Sequence, residues 1–408
     1  MTPLRIVFTA LLPFAAGYFM SYLLRAVNAV VAPELVRDVG LSSAGPGLMT
    51  AAYLGAFALF QLPLGVLLDR YGPRKVQACL LTIASLGCLG FAWSPGFIGL
   101  FLSRAAIGLG FSAGLMAGYK SSATWVPPQR RSLANTAIMA VGALGVIVAT
   151  EPTAWLVSLL GWRNTFAVFA GLILLCALGI MIVAPRNDTV GHPASFATQF
   201  EQMIAIMRRP LFWRVAPLLA LTSGVQIGIT TLWSGPWFRD VMALAPDEVA
   251  RHLLWMAVAF MVGILSVGVI ADRLGRRGIG PMQVMLGFNV IYFIAQSLII
   301  LQVPGLMFPA WLVVAATGQV AILAFPWFAA HIGRDLAGRS NATINFAMFV
   351  AAVASQYLVG LMIGLFPGSA EAYDPHAYSW AIGLFLLLQV LAFVWYLMAS
   401  PHKETVHD

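Results

Sequence analysis

Charge is scarce in this chain. Of its 408 residues only 9% are Asp, Glu, Lys or Arg, whereas soluble globular domains carry roughly 25%. With 60% of residues hydrophobic and a mean hydropathy of +0.87, too little polar material remains to cover a water-exposed surface, and a soluble domain is excluded. Acids are rarer still, 15 against 23 basic residues. The three cysteines, Cys79, Cys88 and Cys176, all fall in apolar runs, which excludes a disulfide framework and makes them small buried hydrophobes. The six histidines lack ligand spacing, and a Walker phosphate-binding sequence is missing. No metal, no cofactor and no catalytic activity are expected. The roughly 10-residue alternation of a transmembrane barrel is missing as well.

What is present is a succession of apolar runs of about 20 residues, the length an α-helix needs to cross a bilayer. Twelve spans are expected, at 4–32, 47–68, 76–94, 97–119, 134–160, 165–184, 211–235, 252–271, 281–301, 309–331, 341–365 and 379–399. The first run stays apolar from Leu4 almost to Val36, far longer than a cleaved signal, and is read as a span. The longest interruption, 185–210, is polar, bounded by prolines and amphipathic around Phe196–Met207. It divides the chain into a six-helix bundle over 1–184, a central loop over 185–210 and a second six-helix bundle over 211–408.

Basic residues set the orientation, because Lys and Arg accumulate in cytoplasmic loops. Loops on the side of the N-terminus hold Arg5, Arg70, Arg74, Lys75, Lys120, Arg130, Arg131, Arg186, Arg208, Arg209, Arg273, Arg276, Arg277, Arg334, Arg339 and Lys403. The opposite loops hold Arg37, Arg163, Arg239 and Arg251. Both termini are therefore expected in the cytoplasm, and the net charge of +8 reports membrane orientation, with no nucleic-acid partner implied.

One charged cassette occurs twice. "GVLLDRYGPRK" at 65–75 and "GVIADRLGRRG" at 268–278 each follow the second span of their own half. The same position in the same orientation marks the halves as parallel repeats of one six-helix unit. Gly65, Asp69, Arg70, Gly72, Arg74 and Lys75 fill every position of the loop signature G-x-x-x-D-R-x-G-x-R-K of the major facilitator superfamily, and Gly268, Asp272, Arg273, Gly275, Arg276 and Arg277 fit it nearly as well. The chain resembles that superfamily throughout its length. The resemblance implies an all-α membrane fold of twelve helices in two six-helix pseudo-repeats. It also implies secondary active transport of a small solute by alternating access, with Asp69 part of a gate.

In the fourth span Arg104, Gly108 and Gly110 match the family's R-x-x-x-G-x-G pattern. Tyr22 and Arg25 in the first span resemble the Y-x-x-R-x-N stretch of the organic-anion symporter branch, with Asn28 one place beyond its asparagine, although Leu24 and Phe111 stand where that branch often has acids. The glycine-proline motif of drug/proton antiporters is incomplete around Gly142, Gly145 and Pro152.

Ionisable groups inside a bilayer are costly and functional by default. Arg25, Arg104 and Glu151 fall at similar depth in spans 1, 4 and 5, and Glu151 is the one acid well within a span. An arginine without an acid partner suits capture of a carboxylate or phosphate, whereas an arginine bonded to backbone carbonyls is structural. Thr222, Gln226, Thr230 and Trp233 share one face of span 7, Gln319 interrupts span 10, and Asn341 and Asn345 lie on span 11. Such a stripe must face protein or a cavity. Trp233 and Trp237 are expected in the aromatic belt at the outer surface, and Lys120 at the inner interface. The resulting expectation is proton-coupled uptake of an organic anion by a monomer in the cytoplasmic (inner) membrane, surrounded by lipid. Arg25, Asn28, Arg104, Thr222, Gln226, Thr230, Gln319 and Asn345 contact solute in this reading, and Glu151 carries the proton. The alternative is efflux of an amphiphilic compound or metabolite, such as a drug or siderophore.

Overall fold

The computed structural model describes residues 3–40, 44–127, 130–186, 196–318, 320–333, 336–366 and 373–398, all of it helix and connecting turn. Ten helices among them are long and apolar enough to cross a membrane. Two continuous helices are each divided by one glycine: Ala44–Trp93 at Gly72 (φ 76°) and Glu151–Val183 at Gly161 (φ 75°). Side chains rarely tolerate that backbone region, and glycine enters it freely. Counted with these breaks, the traverses number twelve. They are α1 (Leu12–Ala26 and Asn28–Val39), α2 (44–71), α3 (73–93), α4 (Phe97–Phe111 and Gly114–Trp125), α5 (Arg131–Val148 and 151–160) and α6 (162–183). The second set is α7 (Pro210–Val241), α8 (Pro246–Gly275), α9 (Pro281–Ile300), α10 (Met307–Ile332), α11 (Ala337–Ile363) and α12 (Pro375–Met398). Proline opens α7, α8, α9 and α12, where its missing N–H would lack an intrahelical partner anyway.

The chain forms two compact units, Met1–Phe196 and Ala197–Asp408. The division lies inside the expected central loop, whose amphipathic stretch is the helix Phe196–Met207.

Within hydrocarbon the hydrophobic effect does not hold helices together; close approach through small residues does. The two units use the same pairings. In the first, α1 packs on α5, where a methyl at Gly145 would overlap the Phe19 carbonyl. There α2 packs on α4, where a methyl at Gly108 would overlap the Tyr53 carbonyl. The α3–α6 contact is aromatic, with Phe91 4.4 Å from Phe166, and Ser85 donates to the Ala170 carbonyl at 2.8 Å. In the second unit α7 packs on α11 through Gly224 and Gly228, and α8 on α10 through Gly263 against Ala316. There α9 meets α12 through Gln296 Nε2, which donates to Gln389 Oε1 at 2.6 Å. Helices 1·5, 2·4 and 3·6 thus recur as 7·11, 8·10 and 9·12.

Two expectations are corrected. Trp233 and Trp237 are 2% and 1% exposed, so they belong to the interior: Trp233 Nε1 donates to the Gln356 carbonyl at 3.1 Å, and Trp237 packs on Trp311 and Phe238. Only Cys88 is buried; Cys79 is exposed, on the outward face of α3 with Ile83 and Leu86.

A methyl added at a close approach must displace backbone. Gly108→Ala is therefore expected to destabilise the protein by about 1–3 kcal/mol, the usual cost of overpacking. Gly171→Ala, where a methyl meets nothing within 4 Å, should leave it unchanged. Thermal unfolding of the two purified variants checks the contrast.

Candidate functional site

The first and fourth helices of each half are interrupted near their middles. α1 breaks at Val27, and α4 breaks between Phe111 and Gly114. α7 contains two π-turns, Ala220–Gly224 and Ile229–Trp233. α10 stops at Thr317 and resumes through the 3-10 turn Val320–Leu323. Such breaks are tolerated at membrane depth only where the freed backbone groups find other partners, and discontinuous helices commonly frame the binding region of transporters. Three carbonyls at these breaks have side-chain donors. Arg104 Nη1 donates to Leu24 O at 3.2 Å, Gln61 Nε2 to Ser112 O at 2.9 Å, and Ser223 Oγ to Gly318 O at 2.8 Å.

In the first unit Arg104 is fully buried. Its Nη2 donates to Asn28 Oδ1; Asn28 Nδ2 donates to Thr50 Oγ1 at 2.5 Å, and Thr50 to the Pro46 carbonyl at 2.9 Å. The rings of Phe91 and Phe166 stand 4.6 and 5.1 Å from the guanidinium carbon. Arg104 forms no ion pair among the described residues. Both polar atoms of Asn28 are thus engaged inside the bundle. Asn28 and Arg104 thereby hold the break of α1 to α2 and α4.

Arg25 lies one turn before Asn28 and is 8% exposed. Its guanidinium is flanked by the rings of Tyr22 and Phe57, each 4.9 Å away, and it interacts with the phenols of Tyr53, Tyr22 and Tyr18. Tyr53, whose hydroxyl donates to Ser21 O at 3.2 Å, is acted on by both Arg25 and Arg104. Glu151 does not join this cluster. It is the first residue of the second segment of α5, after the break at Ala149 and Thr150, and its side chain is exposed. A helix N-terminus favours an acid there, and Glu151 forms no ion pair among the described residues.

In the second unit Thr222 and Gln226 are buried and Thr230 half-buried. Thr222 donates to Leu218 O at 2.7 Å and Thr230 to Gln226 O at 2.8 Å. Gln226 fills the space beside Gly318, where a methyl could not fit. Asn345 is half-buried on α11, and Gln319 lies outside the described residues. Sequence reasoning missed the capping residues Gln61 and Ser223, whose role depends on breaks that leave little trace in sequence. It also missed Asp240 at the end of α7. The Asp240 side chain is fully buried and pairs with Arg239 at 2.5 Å; it also accepts from the Tyr378 hydroxyl at 2.7 Å and the Tyr373 N–H at 3.3 Å.

The first cassette is closed within its own unit. Asp69 pairs with Lys120 of α4, so Lys120 has a partner that its place at the interface did not suggest. Arg74 Nε donates at 3.1 Å to the Met181 carbonyl near the end of α6. Arg70 lies over the ring of Tyr71, and Gly72 makes the turn. The second cassette differs: Asp272, Arg273, Arg276 and Arg277 are exposed, and none forms an ion pair among the described residues. Its turn falls on Gly278 (φ 82°), beyond Gly275.

A family model described as Major Facilitator Superfamily matches residues 14–356. A probable sulfoacetate transporter of Cupriavidus necator is 22% identical over 372 residues, which are 85% of this chain and 85% of that protein. A hexuronate transporter of Escherichia coli is 26% identical over 261 residues, 60% of either chain. Among solved structures, a bacterial homolog of the human lysosomal transporter Spinster superposes with a TM-score of 0.78 at 18% identity, covering 98% of this chain and 97% of that one. A D-xylose–proton symporter superposes with a TM-score of 0.75 at 16% identity, covering 99% of both. At such identities these likenesses speak for the fold alone.

The two acid pairs should differ in strength. Asp69 and Lys120 are 51% and 28% exposed, and a double-mutant cycle on them should return about 0.2–1 kcal/mol. Asp240→Ala leaves Tyr378 and the partly exposed Arg239 without their acceptor and should cost about 1.5–3 kcal/mol, the range for hydrogen bonds to a charged group. Denaturation of the purified variants measures both.

Proposed function

The chain belongs to the major facilitator superfamily and is a multi-pass membrane transporter, and on that footing we propose that it takes up a small organic anion across the cytoplasmic membrane by alternating access, driven by protons. The observation that carries the anion is the charge of the first unit. Arg25 and Arg104 are both buried in it, and the hydrogen-bond partners of Arg104 are neutral. Low-dielectric surroundings leave such a positive potential largely unscreened. Arg104 supplies field from within the bundle, and Arg25, with the phenols of Tyr22 and Tyr53, supplies the direct contact. A planar guanidinium binds a carboxylate or sulfonate through two parallel N–H groups. The names of the sulfoacetate and hexuronate transporters among the relatives support the same class of solute.

In this reading the polar residues of the second half, Thr222, Gln226, Thr230, Gln319 and Asn345, face the solute's neutral part. The cassette residues around Asp69 and Asp272 act as gates at the cytoplasmic side, where both termini also lie, and the protein works as a monomer. Glu151 carries the coupling proton: it follows a break in α5, so its exposure changes when that helix flexes.

Arg25→Ala is expected to weaken binding of glucuronate or sulfoacetate by about 1.5–3 kcal/mol, the range for a hydrogen bond to a charged group. Arg25→Lys should recover little of it, because an ammonium cannot reproduce the fork. Binding to purified protein measures this, and unchanged affinity for both anions removes the assignment. Glu151→Gln should abolish accumulation driven by an imposed proton gradient in proteoliposomes while counterflow exchange continues. Accumulation that survives the substitution places the proton elsewhere.

A further inference from the structure

A second polar site lies wholly inside the second unit, between α7, α9, α10 and α12. Its walls include Gln226 and Thr230 of α7, Tyr292 and Gln296 of α9, and Trp311 of α10. Two buried atoms there lack partners: the Trp311 Nε1 donor and the Gln296 Oε1 acceptor, on residues 1% and 2% exposed. The nitrogen of the Gln296 amide donates to Gln389, whose own amide nitrogen is likewise buried without a partner. An orphaned donor and an orphaned acceptor in hydrocarbon surroundings each cost free energy comparable to a lost hydrogen bond.

We propose that this pocket is a binding site for one hydroxylic molecule, an internal water, that accepts from Trp311 Nε1 and donates to Gln296 Oε1. The lining decides the chemistry. No charged side chain contributes to it, so neither a carboxylate nor an ammonium ion would be compensated there, and an apolar occupant would leave both orphans unsatisfied. A hydroxyl both donates and accepts. The space suits about one water molecule, which needs two to four polar partners, and Thr230 and Gln226 stand beside the first two. Gln226 and Thr230 are shared with the solute-facing stripe of α7 proposed above, whereas the two anchoring atoms lie on α9 and α10.

Its position gives it work to do. The pocket lies against α7 between and within its two π-turns, features that widen a helix and often accompany function. In the same stretch the hydroxyls of Thr222, Thr230, Thr231 and Ser234 bond back one turn, an arrangement that bends helices. A water held by α9 and α10 can keep its bonds as α7 bends, because it is not covalently tied to any of the three helices.

The test uses the full-length protein in lipid nanodiscs. Brief radiolysis in water enriched in oxygen-18 labels side chains next to bound water even when they are buried. Trp311 should label at a rate well above that of Trp237. Trp237, equally buried and 5.4 Å from Trp311 ring to ring, should stay unlabelled. Addition of glucuronate or sulfoacetate should leave the Trp311 rate unchanged. Separately, Trp311→Phe should lower the Tm by about 2–4 °C, the shift expected when one hydrogen bond is lost from a unit of this size. Labelling of Trp311 no faster than Trp237 overturns the proposal, as does a Tm raised by removal of an unsatisfied donor. Protection of Trp311 by either anion assigns the hydroxyl to a solute and overturns the water.

Discussion

Every backbone N–H and C=O in the hydrocarbon layer must be bonded within the protein, and much of the sequence's small polar content is spent on that one requirement. The first and fourth helices of each half bend or break, and α5 breaks at Ala149 and Thr150. At three of those breaks one carbonyl is met by a side chain from another helix: Arg104 for α1, Gln61 for α4 and Ser223 for α10. Polar residues in a membrane span invite a functional reading. Here several of them are what makes an irregular helix possible, and function is built on the irregularity.

The repeat is expressed in packing more than in sequence. Gly108 of α4 lets α2 approach in the first unit, while Gly263 of α8 lets α10 approach in the second. The glycine has moved to the other partner of the equivalent pair, and the contact survives. The cassettes diverge in the opposite sense. Their residues are nearly the same, yet Asp69 is paired and Asp272 is exposed, because Lys120 supplies a partner in one half and the turn after Gly275 runs three residues further in the other.

Twelve traverses were legible because a bilayer imposes a length that any apolar run displays, and membership of the family was legible in the cassette around Asp69. The breaks were not. The π-turns of α7 run through "ALTSG" and "ITTLW", stretches without proline that read as continuous helix. Contacts between residues far apart were equally hidden: Lys120 and Asp69 are separated by 51 positions, and Asp240 meets Tyr378 across 138. Asn28 was visible as a polar residue in an apolar run, but its direction was not, and direction decides between solute and scaffold. Trp233 and Trp237 misled for a related reason. Tryptophan near a span end usually belongs to the interface, whereas α7 turns both inward.

The burial of Arg104 also bears on how the protein is made. A guanidinium costs up to about 2.5–3.5 kcal/mol at the translocon when it sits at the centre of a span, and α4 enters the membrane with one two turns from its start. By then α1, α2 and α3 have already been synthesised, and with them the Leu24 carbonyl, Asn28, Thr50 and the face of Phe91. The order of translation therefore prepares a receptacle before its charge arrives. Only Phe166 comes later, when α6 closes over the other side.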